Sequence, residues 1–250
     1  MQILLIFFQG DFIMLSTQRP ETTLFLMSSV DGKISTGSTD DLDSDRDWKK
    51  IDGVREGVHQ YYDIEKTTDL WSLNTGRVMA KIGINERTSV PAKCPVSFVL
   101  VDRKPHLHEN GIRYLCSWLK KVVIVTNNGR HPSLSLEKDL GNLHTVVYDG
   151  QVDLPDMLSR LKRDFSVNRL TIQSGGTINA DFVRMGLVDH LRLVVAPMLV
   201  GGKDTPTLCD GESITSVRDI SKVKALRLVS CKVLENSFLD LSYDVVRNRE

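Results

Sequence analysis

The stretch "LTIQSGGTINADFVRMGLVDHLRLVVAP", residues 170–197, decides how the chain folds. Leu170 to Gln173 read as a short strand running into Gly175 and Gly176. Ile178, Phe182 and Met185 then recur at helical spacing as far as Gly186, a residue suited to a left-handed helix stop. A second apolar run ends at Ala196 and Pro197. Strand, glycine turn, helix and strand form a unit of a parallel sheet covered by helices. The glycine pair has two readings. It is a tight strand-to-helix turn, or it lets a phosphate approach the unpaired N–H groups and partial positive charge of a helix start. It is not the G-x-G-x-x-G fingerprint, and no P-loop lysine follows.

The flanking sequence extends this pattern. In "DLPDMLSRLKRDF" (153–165), Asp153 is a candidate N-cap, Pro155 falls in the first turn, and Leu154, Leu158, Leu161 and Phe165 recur at helical spacing. "VSFVLV" (96–101), "KVVIVT" (121–126) and "HTVVYD" (144–149) are short apolar runs of the kind buried on both faces of a sheet. "DLWSLNTG" (69–76) reads as a further strand, after which Gly76 opens another helix. Arg77 there is either a fixed charge beside a ligand or a solvated surface residue. The spacing predicts a helix over 48–62. Near the start, "TTLFLMSSV" (22–30) is a strand ended by an Asp31-Gly32 turn, and the polar segment 35–47 reads as a loop. Near the end, 226–234 and 237–245 form an antiparallel hairpin about Asn236.

The fold class is therefore α/β, with a mostly parallel mixed sheet, flanking helices and an antiparallel C-terminal edge. One domain is expected over 22–250, and residues 1–21 are an N-terminal extension. Its apolar run Ile3–Phe8 is too short to span a bilayer, and Met14 is an alternative start.

Lys plus Arg and Asp plus Glu both total 32, so no net charge draws the chain to nucleic acid or anionic membrane. Its four cysteines are far apart, which argues against a zinc cluster or dithiol site and fits a reducing cytoplasm. His106 and His108 lie two apart with no third ligand nearby, so no metal is expected.

Three ordered segments resemble the pyrimidine reductases of riboflavin biosynthesis, which share the dihydrofolate reductase fold. They are "LFLMSSVDGKIST" (24–36), "NTGRVMA" (74–80) and "IQSGGTINADFVRMGLVDHLRLVVAPMLVGG" (172–202). The resemblance covers roughly 22–245 and implies a three-layer fold with NADPH as cofactor. It implies that Gly175, Gly176, Thr177 and Ile178 bind the pyrophosphate, with Gly76, Arg77, Val78 and Met79 facing them. Thr126 and Asn127 would hold the adenosine ribose and its 2′-phosphate, or else form an ordinary strand-ending turn. Ser29, Asp31 and Lys33 would line the substrate and nicotinamide pocket. Asp31 is the candidate for orienting substrate or assisting proton transfer, its other reading being a purely structural turn residue. Arg87 loosely matches a substrate-binding arginine, within a segment that lacks the family's Asp-Pro pair. Met79 stands where a threonine is usual.

The implied reaction reduces the ribose of a phosphoribosylaminopyrimidine of the 5-amino-6-(5-phosphoribosylamino)uracil type, by hydride transfer to C1′. The cofactor carries that chemistry and the protein orients the reactants. A homodimer is also implied. The zinc motif of the fused deaminase domain is absent from the sequence, so a stand-alone reductase is expected. The alternatives are a diverged NADPH-dependent reductase of another small heterocycle and a non-catalytic nucleotide-binding protein of the same fold.

Overall fold

The computed structural model describes residues 18–247, so the reading of 1–17 lies outside the described residues. Nine strands form one sheet: β1 (Glu21–Ser29), β2 (Trp71–Thr75), β3 (Ser97–Val101), β4 (Lys121–Thr126), β5 (Leu143–Val147), β6 (Arg169–Ile172), β7 (His190–Ala196), β8 (Leu226–Val233) and β9 (Leu239–Val245). Their order is β5-β4-β3-β2-β6-β1-β7-β9-β8. Every pairing from β5 to β7 is parallel, and β9 pairs antiparallel with both β7 and β8.

The α-helices are α1 (Ser44–Asp47), α2 (His59–Glu65), α3 (Gly76–Lys81), α4 (Glu109–Trp118), α5 (Ser133–Leu136), α6 (Leu154–Phe165) and α7 (Gly176–Arg184). Alternation along the strands shows why three layers form. Val99 and Val101 of β3, with Val123 and Val125 of β4, face one core together with Leu158 of α6 and Phe182 of α7. Leu100, Val122 and Ile124 face the other side, where Ile112 and Leu115 of α4 cover them. Phe25 and Met27 of β1 extend that second face to Tyr61 of α2 and Phe238. Strands buried on both faces need the near-continuous apolar composition seen here.

The helix expected over 48–62 is broken. A 3-10 turn spans Trp48–Lys50, turns follow, and helix resumes only at His59. Gly53 takes φ +82°, which an α-helix cannot contain, and Gly57 lets the ring of Phe238 approach to 2.6 Å of the place its Cβ would occupy. Met185 also departs from its expected place. The helix ends at Arg184, so Met185 turns outward at 56% exposure while Ile178 and Phe182 are buried. Gly186 supplies the left-handed stop at φ +68°.

The start of β1 is tied to the start of β7. Arg19 donates twice to Asp189, at 2.8 Å each, and Thr22 N donates to the same carboxylate. Burial opposes the charge on Asp189, but these donors outweigh it and hold the pKa at about 2.

Because β1, β2, β3, β4 and β6 run the same way, their carboxyl ends open on one edge. The chain reverses direction across the sheet there, β6 inserting between β2 and β1. Ligand crevices form at such a reversal.

Candidate active site

A cleft of about 1080 Å³ lies along that edge. One lobe is built on the two glycine junctions. At α7, Gly175 is the N-cap and offers no side-chain cap, and the first helical bond back is Asn179 N to Gly175 O at 3.1 Å. The N–H groups of Gly176, Thr177 and Ile178 therefore precede the helix's own bonding. The two glycines have different reasons to be glycine. A Cβ on Gly176 would lie 2.3 Å from Thr207 O and from Asp210 Oδ2, so the 205–211 segment packs directly on its backbone. A Cβ on Gly175 would meet nothing within 4 Å, leaving open space on the cleft side.

At α3, Thr75 accepts from Val78 N at 3.2 Å and so caps its own helix. Gly76 allows close approach of a buried carboxylate, since a Cβ there would fall 2.2 Å from Asp102 Cγ. Arg77 is exposed on the cleft and pairs with Asp40 at 2.9 Å. Val78 and Met79 also line the cleft, and Met79 packs into the core beside Leu100.

Asp102, at the end of β3, is the centre of a network that sequence reading passed over. It is 1% exposed and accepts from His106 N, Leu107 N, His131 Nε2 and the His106 ring. Burial would raise its pKa, but His131, Leu107 N and His106 outweigh it and hold the carboxyl below its ordinary value. His131 is in turn bonded to Ser133 at 2.8 Å. This resembles a nucleophilic triad in composition only, because Ser133 and His131 are both fully buried. The network fixes the 103–107 loop, which places Arg103 and Lys104 on the cleft. Neither cation has a carboxylate partner among the described residues.

Thr126 and Asn127 separate. The Thr126 hydroxyl is buried, donating to Asp102 O at 2.7 Å and accepting from Asn128 N. Asn127 lines the cleft and donates to Gly150 O.

The second lobe is rich in acceptors. Tyr62 donates to Asp45 Oδ1 at 2.7 Å, and Gln173 donates to Glu65 Oε1. Ser72 donates to Gln173 Oε1 at 2.8 Å, which orients that amide. Burial raises the pKa of both Asp45 and Glu65, and Asp43 adds to the rise at Asp45. Lys81 is engaged with Asp43 at 3.2 Å. No group suited to holding a metal occurs among the described residues.

Ser29, Asp31 and Lys33 do not line this cleft. Asp31 accepts from Ser29 Oγ and from the backbone N–H groups of Val200 and Gly201, which hold its pKa down to about 2. Lys33 donates to the carbonyls of Gly202 and Thr205. Together they pin the 200–205 loop to the end of β1. Arg87 is exposed, lies off the cleft, and reaches only Ile82 O at 3.5 Å.

With this geometry in place, comparison with known proteins is decisive for the family. The model of the RibD C-terminal domain matches residues 20–239. The chain belongs to the RibD C-terminal domain family. This RibD-type chain is 27% identical over 217 residues to the 2,5-diamino-6-ribosylamino-4(3H)-pyrimidinone 5′-phosphate reductase of Methanothermobacter thermautotrophicus, covering 84% of this chain and 92% of that protein. It is 27% identical over 243 residues to the riboflavin biosynthesis protein RibD of Actinobacillus pleuropneumoniae, covering 93% of this chain and 58% of that one. The fold matches a Thermotoga maritima diaminohydroxyphosphoribosylaminopyrimidine deaminase/5-amino-6-(5-phosphoribosylamino)uracil reductase. That match has TM-score 0.64 and 17% identity, over 92% of this chain and 58% of that one. The RibD C-terminal architecture thus accounts for the mixed sheet with its antiparallel C-terminal strands.

Proposed function

We propose that this RibD-type chain is an NADPH-dependent reductase of a phosphoribosylaminopyrimidine. The observation that carries the reading is the uncapped start of α7, with open space at Gly175, sharing one cleft with Arg103 and Lys104, which pair with no carboxylate among the described residues. A helix start of this kind suits a pyrophosphate, and free cations held on a rigid loop suit a further phosphate. The donor set therefore fits a phosphorylated dinucleotide.

In this reading Gly175, Gly176, Thr177 and Ile178 bind the pyrophosphate through the α7 start. Gly76, Arg77, Val78 and Met79 bound it from α3, with Arg77 exchanging Asp40 for a phosphate oxygen. Arg103 and Lys104, beside Asn127, bind the 2′-phosphate. NADPH, when bound, supplies the hydride for reduction of the substrate ribose. Asp31 and Lys33 act indirectly, holding the 200–205 loop beside the cleft's glycine segment.

Calorimetric titration with NADPH and NADH tests this. The expected result is at least about 100-fold preference for NADPH, reduced about tenfold or more in Arg103→Ala/Lys104→Ala, since each lost charge-assisted contact is worth about 1.5–3 kcal/mol. Equal affinity for the two cofactors would sink the 2′-phosphate assignment.

A homodimer formed through the outer strand completes the proposal. β8 lies at the sheet edge and exposes Leu228, Val229 and Val233 at 53%, 59% and 79%. A long apolar edge of this kind is normally covered. Light scattering is expected to give twice the chain mass at micromolar concentration, and a monomeric mass throughout would refute the pairing.

A further inference from the structure

We infer that His190 is a pH-sensitive clasp in the sheet. As the imidazolium it ties the C-terminal antiparallel strands to the parallel ones, and on losing its proton it lets go of one side.

One face of the sheet carries a row of charges that alternate in sign. Arg227 lies on β8, Asp244 on β9, His190 on β7, Glu21 on β1 and Arg169 on β6, and Asp69 stands two residues before β2. That is also the order in which the strands lie side by side. Three of the neighbouring pairs are in direct register: Arg227 with Asp244, Asp244 with His190, and Glu21 with Arg169. Glu21 is two residues from Thr23, the register partner of His190 on β1, so it projects from the same face. Opposite charges set across strands in this way stabilise the pairing.

Each carboxylate gives its two oxygens to different partners. Asp244 Oδ2 accepts from Arg227 at 2.7 Å, and its Oδ1 faces His190 Nδ1 at 2.8 Å. Glu21 Oε1 faces His190 Nε2 at 2.8 Å, and its Oε2 lies 3.5 Å from Arg169 Nη1. Asp69 Oδ1 accepts from Arg169 Nε and its Oδ2 from the Thr171 hydroxyl, both at 2.9 Å. Isolated exposed ion pairs contribute little, and networks of shared members are the exception.

His190 is the member of this row whose charge changes near neutral pH. Both of its ring nitrogens face carboxylate oxygens, and only the imidazolium has an N–H for each. A neutral ring turns the lone pair of its second nitrogen towards Asp244 or Glu21. The clasp then opens on β9 or on β1.

The surroundings favour the charged ring. Burial opposes it, but Glu21 and Asp244 outweigh burial and raise the His190 pKa above its ordinary value of 6.5. Arg192, two residues along β7, is engaged by Asp240 at 3.0 and 2.8 Å. The His190 side chain is 35% exposed and lines an open groove of about 330 Å³ with Thr67 and Thr68, so solvent protons reach it.

Linkage gives the direction. With a raised folded-state pKa, the stabilisation from His190 is complete below about pH 6.5 and is lost as pH rises through the folded-state value. Arg227, and then His190, hold the Asp244 carboxyl below its ordinary value, so its own share is lost only as pH falls through that lowered value. The clasp is therefore closed in mild acid and opens on the alkaline side. Its release loosens β9 and β8, which lie outside β7 in the sheet.

Two measurements on the full chain test this. Nitrogen NMR of isotope-labelled histidine rings, followed from about pH 5 to 9, is expected to place the His190 midpoint above 6.5 with both ring nitrogens protonated below it. Glu21→Gln should lower that midpoint, because one of the two facing charges is gone. Thermal unfolding over the same range is expected to cost the unsubstituted chain roughly 2–4 °C more in Tm than His190→Gln, which has no ring proton to lose.

A midpoint at or below 6.5, a midpoint unmoved by Glu21→Gln, or Tm values that follow pH in parallel for the unsubstituted chain and His190→Gln would each overturn the inference. The midpoint is read on the unsubstituted chain, so it decides the matter where a variant fails to fold. Neither measurement involves cofactor or substrate, and the inference stands or falls apart from the reductase reading.

Discussion

Gly175→Asp is expected to give a folded, slightly more stable protein that has lost its dinucleotide affinity by about 100-fold or more. Gly175 has an ordinary extended backbone, and a Cβ there meets nothing within 4 Å. The new carboxylate would occupy an N-cap position, where aspartate is among the preferred residues and exceeds glycine by roughly a few tenths of a kcal/mol. It would bond the N–H groups that the pyrophosphate needs and repel the phosphates as well. Loss of one or two charge-assisted hydrogen bonds, about 1.5–3 kcal/mol each, gives the stated factor. Thermal unfolding and NADPH titration on the same preparation check both halves. Unchanged affinity with unchanged Tm would remove the α7 start from the binding site. Gly176 does not allow this separation, because any side chain there collides with Thr207 O and Asp210 before a ligand is involved.

Asp102→Ala should cost about 3–5 kcal/mol of unfolding free energy, the range for removing one partner from a buried charged network. Four donors converge on this carboxylate, and His131 Nε2 and Leu107 N are left in an enclosed space when it is removed. Urea denaturation monitored by tryptophan fluorescence would measure the loss. A change below about 1 kcal/mol would mean that the network contributes no more than an exposed pair. Asp102→Asn should fall between, because one amide N–H must then face a donor. In either variant the 103–107 loop loses its anchor, so the NADPH over NADH preference should narrow even where the protein remains folded.

The β6-α7-β7 unit was legible because its signals are local. Apolar strand runs, glycine at the turn and glycine at the helix stop all lie within the segment that forms it. The same reasoning failed over 48–62, where apolar spacing suggested one helix but Gly53 adopts φ +82° and breaks it. It also passed over α4, although Ile112, Leu115 and Cys116 lie at helical spacing and are buried. Much of the cleft was not legible from spacing alone. Asp102 meets His131 across 29 positions and Glu65 meets Gln173 across 108, contacts that exist only once the strand order is known. A carboxylate immediately after the apolar run ending at Val101 was the available signal for Asp102. Asp45 lies in the polar segment 35–47 that reads as a loop, and only the fold sets it against Tyr62. Asp31 is the sequence's candidate for orienting substrate or assisting proton transfer, whereas its hydrogen bonds in the structure serve the turn and the adjoining loop.

The place of β6 in the sheet also constrains how the chain can be assembled during synthesis. β2 through β5 pair with sequence neighbours, so this half can form as it emerges from the ribosome. β1 emerges first, yet Glu21 pairs with Arg169 and Thr23 with His190. Leu24 and Phe25, among the most deeply buried residues of the finished protein, have no strand partner until the β6 and β7 segments have been made. Long-range parallel pairing of this kind is slow and leaves apolar strand surface open to aggregation. The strand that organises the centre of the sheet is thus the earliest made and among the last to be completed.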